Sequence, residues 1–266
     1  QSWTDAYVGL NGGGAWSNPS MVVQDAAFGG PAIATQSQAI ASSTLNLLPT
    51  TYSNKLSGFL GGFQAGMNWN FAGNVIAGFE AGLDGTTGNT NNKQDVVNAL
   101  AGGKVYTSFA QHMASLNYLG TIRGKLGYLI LPTVEVYGAG GLAVGGVLAA
   151  NNYASITVTT PTSPKIYGPQ YQGNLVGWTA GGGVEWMFIP NWSAKIDYLY
   201  YDLGYVSAGG LYSSVTWAPY TPGTSYGTST SFGSVSHTTA HFNGSVLNAG
   251  INRHFDLAAL KGVLTK

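Results

Sequence analysis

Seven ionisable residues recur at one parity of the chain's extended segments: Glu80, Arg123, Lys125, Glu135, Glu185, Lys195 and Asp197. Four acids and three bases on one face of a sheet could form a buried ladder of ion pairs, or line a narrow path for ions or protons. Both uses need the same residues. Other spacings suggest chemistry less strongly. His237 and His241 have the separation of metal ligands on a helix. In an extended Ser/Thr-rich segment they stand ~13 Å apart, too far for one ion. Gly138-x-Gly140-x-x-Ala143 imitates a dinucleotide fingerprint. Gly-rich and then Thr-rich sequence follows it, where a helix and an acid should stand. Hydrolysis would need a nucleophile, a base and an orienting group to converge. His112 and His254 have no clustered partners in the sequence, and no His–Asp or His–Glu pair stands out beside a serine. The expectation is no catalytic residue, no cofactor-binding residue, no metal ligand and no cofactor.

The elements that carry the seven charges alternate with period two, which is the signature of strands. From Ser57 to Asn70 one parity reads Phe59, Gly61, Phe63, Ala65, Met67, Trp69, and the other Leu60, Gly62, Gln64, Gly66, Asn68, Asn70. The same alternation runs through 74–84, 114–128, 133–144, 174–188 and 192–202, and more weakly through 4–16 and 241–255, making eight strands. In 114–128 the apolar set is Leu116, Tyr118, Ile122, Leu126 and Tyr128, opposite Ser115, Asn117, Thr121, Arg123 and Lys125. Short connections at Asn70–Asn74, Leu129–Pro132 and Ile189–Asn191 alternate with long ones over 17–56, 84–113, 145–173 and 203–240.

Composition narrows the class. Charged residues are only 8% of 266 and cancel in sign, which excludes a basic nucleic-acid binder. Aromatics at 12% exclude a disordered chain. No run of about 20 apolar residues forms a membrane helix, and the absence of cysteine excludes disulfides. Gln1 is preceded by no leader, so a mature exported protein with its signal peptide removed is expected.

The two strand faces then decide between barrels. All seven charges share the polar face, while the apolar face carries almost none and places rings near strand ends: Trp69, Tyr128, Trp186, Phe188, Tyr198 and Tyr200. In a membrane barrel the apolar face meets lipid, rings form interfacial girdles and the interior is polar. A soluble barrel reverses the faces. The prediction is therefore all-β: an eight-stranded antiparallel up-and-down transmembrane barrel, closed because an open sheet edge cannot sit in lipid. Long loops would be extracellular, and short turns and both termini periplasmic.

The long connections hold seven of the twenty charges, although solvated loops usually carry most of them. The segment 203–240 has none, yet contains Tyr205, Tyr212, Trp217, Tyr220, Tyr226 and Phe232. Neutral, Tyr-rich segments are suited to contacts, so self-association or binding of other envelope proteins is expected of them. Outer-membrane lipid, including lipopolysaccharide, is the other expected partner, and nucleic acid is not.

Three stretches then carry a resemblance: Gly177-Trp-Thr-Ala-Gly-Gly-Gly-Val-Glu-Trp186, Pro190-Asn-Trp-Ser-Ala-Lys195 and Asp197-Tyr-Leu-Tyr-Tyr-Asp-Leu-Gly204. With Tyr7-Val-Gly-Leu-Asn-Gly-Gly-Gly-Ala-Trp16, Thr121-Ile-Arg-Gly-Lys-Leu-Gly-Tyr128 and Val136-Tyr-Gly-Ala-Gly-Gly-Leu-Ala143, they resemble the small porin-family or opacity-type outer-membrane barrels of alphaproteobacteria. Those barrels are relatives of the OmpA-like transmembrane domain. The resemblance covers the strands and not the loops. It implies an integral protein of a Gram-negative outer membrane and no catalytic residue. Two features depart from the family. Its last strand normally ends the chain at an aromatic, whereas Phe255 is followed by Asp256 to Lys266, and Arg253 stands where a second aromatic is usual. The barrel is assigned to 1–255, and 256–266 to a periplasmic extension with Leu257, Leu260 and Leu264 at helical spacing. A structural or surface-interaction role is the leading functional expectation. A low-conductance porin is the alternative, and a lipid-modifying enzyme is a remote third.

Overall fold

In a computed structural model, the described residues are 3–17, 19–29, 51–53, 55–87, 89–90, 93–101, 104–157, 170–212 and 232–256. They form twelve strands: β1 (Asp5–Ser17), β2 (Ser20–Gly29), β3 (Thr51–Ser53), β4 (Leu56–Ala72), β5 (Val75–Thr86), β6 (Asn89–Thr90), β7 (Lys93–Ala101), β8 (Lys104–Leu131), β9 (Val134–Thr157), β10 (Gln170–Ile189), β11 (Trp192–Tyr212) and β12 (Phe232–Asp256). Eight of them close a ring in the order β1-β4-β5-β8-β9-β10-β11-β12, with β12 pairing back on β1. Every pairing is antiparallel.

The register fixes the shape of the ring. Starting at Asp5, hydrogen-bonded partners run through Asn68, Gly78, Lys125, Ala139, Gly181, Leu199 and Val246 and return to β1 at Ala15, ten residues further on. With ~3.3 Å per residue and ~4.8 Å between strands, that stagger over eight strands means a tilt of ~40° and a backbone radius of ~8 Å. Such a tube has room for its own side chains and little else. The strands turn back through Gly73-Asn74, Pro132-Thr133 and Pro190-Asn191. Gly73 (φ 60°) and Asn191 (φ 63°) take the left-handed conformation, which these two residue types tolerate best.

Alternation assigns the faces. Ile122 (63% accessible) and Leu126 (65%) point outward, whereas Arg123 and Lys125 beside them are buried. Outward rings make two belts. Phe71, Tyr128, Trp186, Phe188, Trp192 and Phe255 lie at the turn end, where Trp69 is half-buried and packs edge-on to Phe79. Trp16, Phe59 and Trp178 lie at the long-connection end. There Trp178 packs on Tyr200, and Trp16 on Tyr198. A strand at this tilt climbs ~2.5 Å per residue, which separates the belts by roughly 25 Å, the height of an outer-membrane apolar band.

The strands outrun their sequence-based bounds. β8 has 28 residues and β9 has 24, so 104–113 and 145–157 are wall rather than loop. The same holds for 203–212 and 232–240. Beyond the ring, β2 pairs with β12 and β3 with β2, while β7 pairs with β8. Leu116, expected on the apolar outer face, is instead buried inside. A bulge between Leu116 and Tyr118 inserts a residue and reverses the parity above it.

Candidate functional site

The barrel interior holds the candidate site, and it is built in three layers. At the turn end Trp3, Ile76, Leu129 and Met187 form a small apolar cluster. Trp3 is fixed there by its indole N–H, which donates to the Pro132 carbonyl at 3.0 Å. At the opposite end a larger cluster includes Leu60, Leu119, Val147, Leu199, Leu203 and Phe242. All seven predicted charged side chains lie between these layers and are buried.

Two hubs organise the charged layer. Glu80 of β5 receives three donors: Arg123 Nη2, Lys195 Nζ at 2.6 Å and the Tyr7 hydroxyl at 2.7 Å. Arg123 also donates to Asp197 Oδ2 at 3.0 Å, so one guanidinium links two acids from different strands. Lys125 of β8 is the second hub. Its ammonium lies 2.9 Å from Glu135 and 3.0 Å from Glu185, and 4.6 Å from the centre of the Tyr137 ring. Tyr7 joins the hubs, because its ring lies 5.9 Å from Lys125 Nζ while its hydroxyl serves Glu80. Small residues make the room: a Cβ on Gly127 would strike the Glu135 carboxylate, and one on Gly66 would strike the Tyr7 ring.

The structure adds members that sequence spacing missed. His254 does have partners. Its Nδ1 is 3.0 Å from Asp5 Oδ2, and its Nε2 is 2.8 Å from Ser193 Oγ and 3.4 Å from Glu185 Oε1. Asp5 and His254 stand at opposite ends of the chain, and closure of β1 on β12 brings them together. Asn252 donates to Glu185 at 2.8 Å and accepts from Gln64 at 2.6 Å, extending the network across the lumen. Asp84, which the sequence places where strand 74–84 meets the long connection 84–113, is buried within β5.

Ser193, His254 and Asp5 have the connectivity of a hydrolytic triad. The surroundings add a fourth member. The Ser193 hydroxyl lies within donating distance of Glu185 Oε1 at 2.6 Å as well as 2.8 Å from His254 Nε2, so a carboxylate shares the hydroxyl with the imidazole. Ser193 is also fully buried. The arrangement ties four strands together.

The remaining singled-out residues fall elsewhere. Gly138 to Ala143 lie within β9, paired on both sides. His237 and His241 lie along extended β12. His241 Nε2 is 3.0 Å from Asp202 Oδ1, and its ring stacks on the exposed Tyr205 with centroids 4.2 Å apart. Tyr212 ends β11 and Phe232 begins β12, while Trp217, Tyr220, Tyr226 and 257–266 lie outside the described residues.

Known proteins are similar to this chain. The chain is 31% identical over 209 residues to the 31 kDa outer-membrane immunogenic proteins of Brucella melitensis and Brucella suis, covering 76% of this chain and 72% of theirs. Among solved structures it is similar to Neisserial surface protein A (12% identity, TM-score 0.31, covering 94% of this chain and 97% of that one). It is also similar to OprG of Pseudomonas aeruginosa (11% identity, TM-score 0.38, covering 95% and 96%). Residues 1–255 match the family described as outer membrane protein beta-barrel domain, and the chain belongs to that family of outer-membrane β-barrels.

Proposed function

We propose that this outer-membrane barrel is a closed scaffold rather than a conduit, and that it acts through the surface built on its long connections. The layered lumen carries this reading. An ion that entered the charged middle would have to cross an apolar plug at each end, and the charges there already hold one another. The long connections then face the cell exterior, and the termini and short turns face the periplasm, as in single-chain bacterial barrels. Their neutral, aromatic composition favours contacts with neighbouring copies or other envelope proteins.

Two measurements test the proposal. Proteoliposomes carrying the refolded barrel should not swell in solutions of small sugars or amino acids, and swelling above protein-free vesicles would count against a scaffold. Atomic force microscopy of the native outer membrane should show clustered or ordered copies. Trp217→Ser with Tyr220→Ser should loosen those clusters and leave the barrel heat-modifiable on gels. Contacts of this neutral kind should persist in high salt. Dispersed monomers at every protein density would contradict the surface role.

A further inference from the structure

Between β10 and β11 the wall of the barrel parts near its long-connection end. β10 and β11 pair from the turn up to Trp178 and Asp202, and no further. A bulge lies there: Asp202 Oδ1 accepts the Gly204 N–H at 2.8 Å, and Gly204 takes φ 80°. Within it, Leu203 reaches inward over Gly145 of β9. Above this point 170–177 keep their partners on β9, and 204–212 keep theirs on β12. Among the described residues neither segment has a partner on its other side. Among the described residues two strand edges therefore lack a ladder partner just above the aromatic belt, with Gly177 at the fork still lying against Leu203.

Open edges are ordinarily blunted by charge or proline, because they template pairing with another chain. Here Gln-Tyr-Gln-Gly-Asn-Leu-Val-Gly (170–177) and Gly-Tyr-Val-Ser-Ala-Gly-Gly-Leu-Tyr (204–212) contain neither. Among the described residues each copy thus carries two neutral edges of similar length. Copies in one membrane share one orientation, so an upward β11 meets an antiparallel partner only in a neighbour's downward β10.

We propose that neighbouring copies join edge to edge, with 204–212 of one pairing antiparallel with 170–177 of the next. The inference rests on the self-association proposed above and assigns it a strand interface. Its contact is head-to-tail, which builds rings or open chains rather than two-fold dimers.

Single-cysteine variants test this cleanly, because the chain has no cysteine of its own. One set places cysteine at Gln172, Asn174 or Val176, and the other at Tyr205, Ser207 or Gly209, all exposed positions. Membranes containing one variant of each set should give a disulfide-linked dimer on mild oxidation, and either variant alone should give none. Asn174→Lys with Ser207→Lys should shift wild-type assemblies to monomers while the barrel stays heat-modifiable. Assembly of the wild type without mixed cross-links, or cross-links within a single variant, would overturn the strand interface and leave self-association standing. A wild type that stays monomeric would overturn both.

Discussion

Lys195 and Lys125 show how the interior charges divide the burden of holding the barrel together. Lys195→Met leaves Glu80 with Arg123 and Tyr7, whereas Lys125→Met strips the ammonium from Glu135 and Glu185 at once. Removing one member of a buried pair costs about 3–5 kcal/mol because an uncompensated charge remains. Lys195→Met should fall at or below the low end of that range, and Lys125→Met at or above the high end, in urea unfolding of the barrel in lipid vesicles. Restoring neutrality with Lys125→Met, Glu135→Gln and Glu185→Gln together should recover part of the loss. The seven charges were legible because each shares its parity with polar neighbours on its own strand. His254 and Asp5 were not, since their contact depends on ring closure between strands at opposite ends of the chain. Tyr7 was hidden for another reason: in Tyr7-Val-Gly-Leu-Asn both parities hold apolar residues, and only the hydroxyl's bond to Glu80 marks the ring as interior.

At the level of strands, the lipid-facing belt makes a separate prediction. Ile122 lies near mid-height and points outward. Ile122→Arg should cost about 2–4 kcal/mol, as for an arginine at the bilayer midplane, while Ile122→Leu should be nearly neutral in the same unfolding assay. β12 is held along its length by β1 and β11, and Phe255 pairs with Ala6 at the seam. Arg253 lies outward with Trp192 and Phe255 around its guanidinium, 5.4 and 5.9 Å from the ring centres. It occupies the interface without a second aromatic at its own position. Truncation after Phe255 should therefore leave insertion and heat-modifiability unchanged. Alternation located the membrane-crossing parts of every ring strand, but it failed above the belts. There the contrast that period two requires is lost: 145–150 are buried or half-buried at every position. Bulges at Leu116/Tyr118 and Asp202/Gly204 add a shift of parity that composition does not announce.

The whole molecule is a narrow tube whose contents are sorted by height. Eight strands with a ten-residue stagger leave a lumen about one side chain deep on each side, and this chain fills it with apolar, charged and again apolar layers. Each layer limits the others: the plugs keep water from the ion pairs, and the ion pairs pin the strands that carry the plugs. Planar-bilayer recording of the refolded wild type tests this closed column most directly. Trp3→Ala with Met187→Ala, Leu199→Ala and Leu203→Ala serves as the comparison that removes side chains from both plugs. A filled lumen predicts a silent wild type and discrete openings only after the plugs are cut. Reproducible unit conductance from the intact wild-type barrel would contradict it.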